Sequence, residues 1–156
     1  MKPIIAGITT ILVGLTSIPA FAHHSMSAEF DTSKTAAITG TICSTELSNP
    51  HSHIYVHVKL ANGQSETWKL ELPGAARMTS QGVAKETFKA GDAITIQAYP
   101  SKTPAAVNAT QPAIYSACTA SPANALRLGH VREAALSSGK HLTVSDVWPE
   151  TVTVRQ

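Results

Sequence analysis

Residues 53–72 constrain this chain more than any other stretch. Ile54, Val56, Val58 and Leu60 alternate with His53, Tyr55, His57 and Lys59. Asn62-Gly63 follows, and then a second run puts Trp68, Leu70 and Leu72 on one face. Strict period-two alternation is the mark of a strand with one buried side, and Asn-Gly between two such runs is the strongest short hairpin signal. Pro73-Gly74 ends the unit. The spacing predicts one or two helical turns over residues 75–81, with Gly82 as the stop.

The alternation recurs on either side. Ile38, Gly40 and Ile42 alternate with Thr39 and Thr41, with the glycine at a bend or bulge. After Gly91-Asp92, Ile94, Ile96 and Ala98 alternate with Thr95 and Gln97 up to Pro100. Residues 101–125 are rich in Ala, Pro, Ser, Thr and Asn and read as a long loop. Residues 126–136 fit either a strand or a helix, and 142–144 and 151–154 are short strand candidates. The order predicts an all-β fold, a small five- to six-stranded barrel resembling the oligonucleotide/oligosaccharide-binding type, with one short helix after the third strand. A β-sandwich is the alternative.

The amino terminus points to export. Met1-Lys2, an apolar run of about fifteen residues and the small-x-small triplet Ala20-Phe21-Ala22 read as a secretory signal over residues 1–22. The run is short of the roughly 20 residues of a membrane span, and no other segment approaches that length, so no stable span is expected after signal removal. The remainder divides into a polar arm, 23–37, and one barrel domain, 38–156. With 12 Lys and Arg against 10 Asp and Glu, there is no basic stripe of the kind a nucleic-acid binder carries. Cys43 and Cys118, in a chain bound for an oxidising compartment, are expected to form one disulfide closing a long loop, with two free thiols or a metal pair as the alternatives; their spacing fits no zinc motif.

Several segments occur in an order that resembles a family of small secreted bacterial proteins of unknown function. They are His23-His24-Ser25-Met26-Ser27-Ala28-Glu29-Phe30-Asp31, Gly40-Thr41-Ile42, Asn49-Pro50-His51, Trp68-Lys69-Leu70-Glu71, Gly91-Asp92 and Tyr99-Pro100. Members open on His-His-Ser and carry Asn-Pro-His before a strand. The resemblance spans residues 22–102 and extends to parts of 124–145. It implies a secreted location and a small β-barrel, and no activity. The loop near 103–122 departs from the pattern as an insertion, and Met78 to Ala84 lacks the Arg and Trp of such proteins.

Cleavage after Ala22 would leave His23 as the first residue, and its free amine and ring nitrogen could chelate a metal together. Deprotonated amine and imidazole suit Cu(II), at the top of the divalent affinity order. Candidate ligands are His23 and His24, joined by His51, His53 and His57. The last three share one strand face with Tyr55, opposite the apolar face, which reads either as a plain solvated face or as a binding face whose histidine pair holds a metal. Glu29 and Asp31 are candidates for hydrogen bonds to the ligand rings, or plain solvated charges. No nucleophile motif, phosphate loop or dinucleotide fingerprint occurs. The expected function is therefore a secreted or periplasmic, non-catalytic barrel module that binds copper, a small ligand or another envelope protein. A copper-dependent redox enzyme built on His23 and a purely structural envelope protein are the alternatives.

Overall fold

The computed structural model describes residues 26–103, 126–145 and 150–156. A single turn of helix, α1 (Met26–Glu29), precedes β1 (Ala36–Glu46), β2 (His51–Lys59) and β3 (Ser65–Pro73). After β3 come α2 (Ala75–Ser80) and a 3-10 turn (Lys85–Thr87), then β4 (Ala93–Pro100), β5 (Leu126–Leu136), β6 (His141–Val144) and β7 (Val152–Arg155).

Five strands close a barrel in the order β1-β2-β3-β5-β4 and back to β1. Every pairing is antiparallel except the seam, where β3 and β5 run parallel from Thr67↔Leu126 to Glu71↔His130. This is the barrel expected from the sequence, and a closed barrel excludes the sandwich. Two further strands lie outside it. Beyond the seam, Glu133 to Ala135 of β5 pair with β6, and β6 pairs with β7. The open question over 126–136 resolves as strand throughout. The arm is shorter and more structured than expected: it contains α1, Phe30 bridges Ser101, and β1 begins at Ala36.

Local chemistry explains the elements. The β2–β3 hairpin turns at Gly63 (φ 82°), a left-handed conformation that glycine adopts without steric cost, and Gln64 N–H donates to Asn62 Oδ1 at 3.0 Å. β1 pairs with β4 over residues 36–41 and with β2 over 41–46. Gly40 sits at this changeover, where a Cβ would collide with the His57 carbonyl and Val56. A bulge between Ile42 and Ser44 leaves Cys43 outside the β1–β2 ladder.

The barrel interior holds Ile38, Ile42, Ile54, Val56, Leu70 and Ile96, with Trp68 and Phe88 among the residues packed around them. Each fully buried Leu, Ile or Val contributes about 1.5–3 kcal/mol. Met78 is the one buried side chain of α2, and Leu142, Val144 and Val152 bring β6 and β7 into the same cluster. Among the described residues no helix is long and apolar enough to cross a membrane.

Candidate functional site: an acid–histidine row on the barrel wall

Because Ile54 and Val56 point into the barrel, His51, His53, Tyr55 and His57 point out, as the alternation predicts. The outward face is not a solvated one, however. Tyr55 is buried, and the His51 and His53 side chains are only 33% and 20% exposed.

Register sets the neighbours. Glu46 of β1 lies opposite His53 of β2, and His53 opposite Glu71 of β3. Glu71 then lies opposite His130 of β5 across the parallel seam, and His130 opposite Tyr99 of β4. One row of ionisable side chains thus runs around the outside of the barrel, with a member on every barrel strand. His51 joins it from one row away, its Nδ1 3.0 Å from Glu71 Oε1. That contact is an ion-pair distance without the angle of a ring N–H hydrogen bond, because Nδ1 is unsatisfied as a donor. His53 Nδ1 stands 3.9 Å from Glu46 Oε2, a looser pair.

The Asn-Pro-His motif places His51. Asn49 Oδ1 accepts from the Ala76 N–H at 3.2 Å, and the Ser48 carbonyl accepts from the Ala75 N–H at 2.9 Å, so the β1–β2 loop caps the start of α2. Gly74 makes the approach possible: a Cβ there would lie 2.5 Å from the Pro50 carbonyl oxygen and 2.7 Å from Asn49 Oδ1. Ser48 Oγ donates to the His51 carbonyl at 2.6 Å. Asn49 and Pro50 are therefore scaffold, and His51 is the member of the motif that reaches the row.

His130 is the most enclosed member, at 1% exposure. The Phe30 ring lies over it with centroids 5.5 Å apart, and Glu150 Oε1 stands 3.5 Å from Nε2. Neither ring nitrogen has a hydrogen-bond partner among the described residues.

The arm is fastened beside His130. Asp31 N–H donates to the Pro100 carbonyl at 2.8 Å, Lys102 N–H to the Glu29 carbonyl at 2.9 Å, and Lys102 Nζ to the Ser27 carbonyl at 2.6 Å. Asp31 is a turn residue. Its carboxylate accepts from Ser33 and Lys34, and these contacts, the Lys34 bond first, hold its pKa at about 2. Glu29 is instead close enough to the row to act on Glu71.

Burial raises the pKa of Glu71. His51 and His130 oppose that rise, while Glu29 and Glu150 reinforce it. His53 shifts the other way, down to about 4, first through burial and then through the Lys69 ammonium, with Glu46 opposing. His53 is therefore a neutral ring at neutral pH.

The structure thus brings together His51, Glu71 and His130, with Glu29 and Glu150 at the margin. It does not bring His57 to them, since that residue lies opposite Thr67, well along the strand. His23, His24 and Cys118 lie outside the described residues, as do the cleavage site and residues 104–125 of the loop expected over 101–125. Among the described residues no three His, Cys, Asp or Glu side chains are placed to hold a metal ion by themselves. His130 and Glu150 are not legible as site residues in the sequence, and Glu71 only as part of a motif. By sequence His130 is a bystander comparable to His141, but only His141 is exposed.

Fold and row define a small five-stranded barrel of the oligonucleotide/oligosaccharide-binding architecture with an acid–histidine row on its wall. The chain belongs to the family of unknown function DUF6152, which matches residues 11–109. No curated protein and no solved structure matches it.

Proposed function

We propose that this protein is an exported, non-catalytic barrel module that binds copper through a mature amino terminus beginning at His23. The observation that carries the reading is the docking of the arm. Met26 begins a turn of helix fastened to the barrel, and Phe30 covers His130. His23 is three residues upstream of Met26, so covalent geometry keeps its Cα within about 11 Å of Met26. The amine and ring of His23 close a chelate, and a nitrogen from His24 or from the barrel wall would extend the set toward the planar arrangement Cu(II) favours. Docking of the arm from Met26 onward supports such a site because it limits how far the chain just ahead of it can stray, and a confined ligand loses less freedom on binding than one on a free tail.

The test is a Cu(II) titration by calorimetry of exported protein whose amino terminus has been verified by intact mass. One extra residue ahead of His23 should weaken binding at least tenfold, since it separates the amine from the ring. His23→Ala should do the same. His141→Ala, on the exposed side of β6, should leave affinity unchanged; His130 is unsuitable as that control because it lies in the row. Equal affinity with and without the leading residue would remove the amino-terminal site.

A further inference from the structure

We propose that Glu29, Glu71 and Glu150, backed by His130, form a site for an organic cation, an alkylammonium or guanidinium group. The proposal goes beyond the copper reading and uses only described residues.

Two independent observations meet here. The first is a surplus of carboxylate. Asp31, Glu66 and Glu133 each have a Lys or Arg partner, at 2.8, 2.8 and 3.9 Å. Among the described residues Glu71 is paired only with the His51 ring, and the Glu29 carboxylate is in no ion pair. The Lys102 ammonium, beside the arm, donates to the Ser27 carbonyl at 2.6 Å. Burial, then Glu29 and Glu150, push the Glu71 carboxyl up, so negative charge is crowded at this spot.

The second observation is His130. The ring is 1% exposed, its Nε2 faces Glu150 Oε1 at 3.5 Å, and neither nitrogen has a hydrogen-bond partner among the described residues. Buried polar atoms are normally paired, and this ring is turned toward the carboxylates. Glu71 lies opposite His130 across the seam, so both observations fall on one patch. The patch meets solvent at the Glu71 and Glu150 side chains, each 19% exposed.

The spread of the acceptors selects the ligand. They come from α1, β3, β5 and the segment before β7, and among the described residues no three His, Cys, Asp or Glu side chains are placed to hold a metal ion. An organic cation needs no such convergence. Its N–H groups are set in a planar fork or along an alkyl chain, and each donates to a separate carboxylate oxygen or imidazole lone pair. A free polyamine and the Lys or Arg side chain of a peptide carry the same chemistry.

The experiment titrates metal-free protein, with chelator and at low ionic strength, with two probes: spermidine, and the end-blocked tripeptide Gly-Arg-Gly. Calorimetry reads affinity, and nuclear magnetic resonance reads the His130 ring. At least one probe should bind and shift the His130 resonances. Glu71→Gln and Glu150→Gln should each weaken binding at least about tenfold, the loss of one charge-assisted hydrogen bond. Glu29→Gln, on the exposed turn of the arm, should weaken it several-fold and tests the site even if the other two variants fold poorly. Glu133→Gln, an exposed acid beside Arg132, should leave affinity unchanged. Tighter binding of spermidine would identify a free amine as the source, and tighter binding of the tripeptide a side chain. No binding of either probe would overturn the proposal. So would equal weakening by Glu29→Gln, Glu71→Gln and Glu133→Gln, the mark of general charge attraction. Copper is absent throughout, so the result stands apart from the amino-terminal chelate.

Discussion

His53 offers a quantitative test of the row's electrostatics. Its ring is held at a pKa of about 4, against 6.5 for an unperturbed histidine, because folding removes water from it and sets it near Lys69. The folded-state value lies below the unfolded one, so the fold prefers the neutral ring. The stabilisation is complete above pH 6.5 and is lost as pH falls through about 4. Each tenfold change in proton affinity corresponds to about 1.4 kcal/mol, giving a ceiling of about 3 kcal/mol. The ring keeps partial contact with solvent, which screens the effect, and about 1–2 kcal/mol is the expected share. Glu71 works the other way. Its pKa is raised, so protonation on acidification relieves a penalty. The clean measurement is therefore a difference: urea unfolding of metal-free wild type and His53→Gln at pH 7.5, 6, 5 and 4. Wild type should lose about 1–2 kcal/mol more than the variant across that range. Equal losses, or a nuclear magnetic resonance titration placing the His53 midpoint near 6.5, would refute the reasoning.

Three other outcomes follow from the packing. Leu70→Ala empties a fully buried position in the barrel and should cost about 2–5 kcal/mol in chemical unfolding. Gly74→Ala forces a Cβ against the Pro50 carbonyl and Asn49 Oδ1, and should cost about 1–3 kcal/mol, read as a lowered urea midpoint with an unchanged slope. Cys43, outside the β1–β2 ladder at its bulge, is expected to pair with Cys118. In the chain-entropy model a loop of this length stabilises by about 4 kcal/mol. Two thiols that react with a blocking reagent in unfolded, non-reduced protein would end that expectation.

Much of the barrel was legible because its strands carry their own signals. Ile54, Val56, Trp68, Leu70 and Leu72 show the period of a one-sided strand, and Asn62-Gly63 marks the turn between them. The outward direction of His51, His53 and His57 followed from the same alternation. Their neighbours did not follow, because a strand's own pattern says nothing about which strand lies beside it or in what register. That Glu71 lies opposite His130 depends on closure between strands separated in the chain by α2 and β4. Nor could alternation show that Phe30 and Glu150 enclose His130, since both come from irregular segments. Residues 126–136 stayed ambiguous for a different reason. A bulge between Gln97 and Ala98 shifts the pairing of β4 with β5, and Gly129, facing Leu70 and Trp68, supplies no apolar side chain to mark the inner face.

The parallel seam has a thermodynamic consequence. β3 is locally paired through its hairpin with β2, whereas its pairing with β5 closes a much longer stretch of chain and carries the larger entropic cost. Glu71 and His130 sit on opposite sides of that closure. A ligand that gripped both side chains would act as a clasp on a long-range closure of the barrel, and its binding energy would add to the energy of keeping the cylinder shut. Occupancy would then be felt far from the histidines, as slower amide exchange along β5 and the strands it carries.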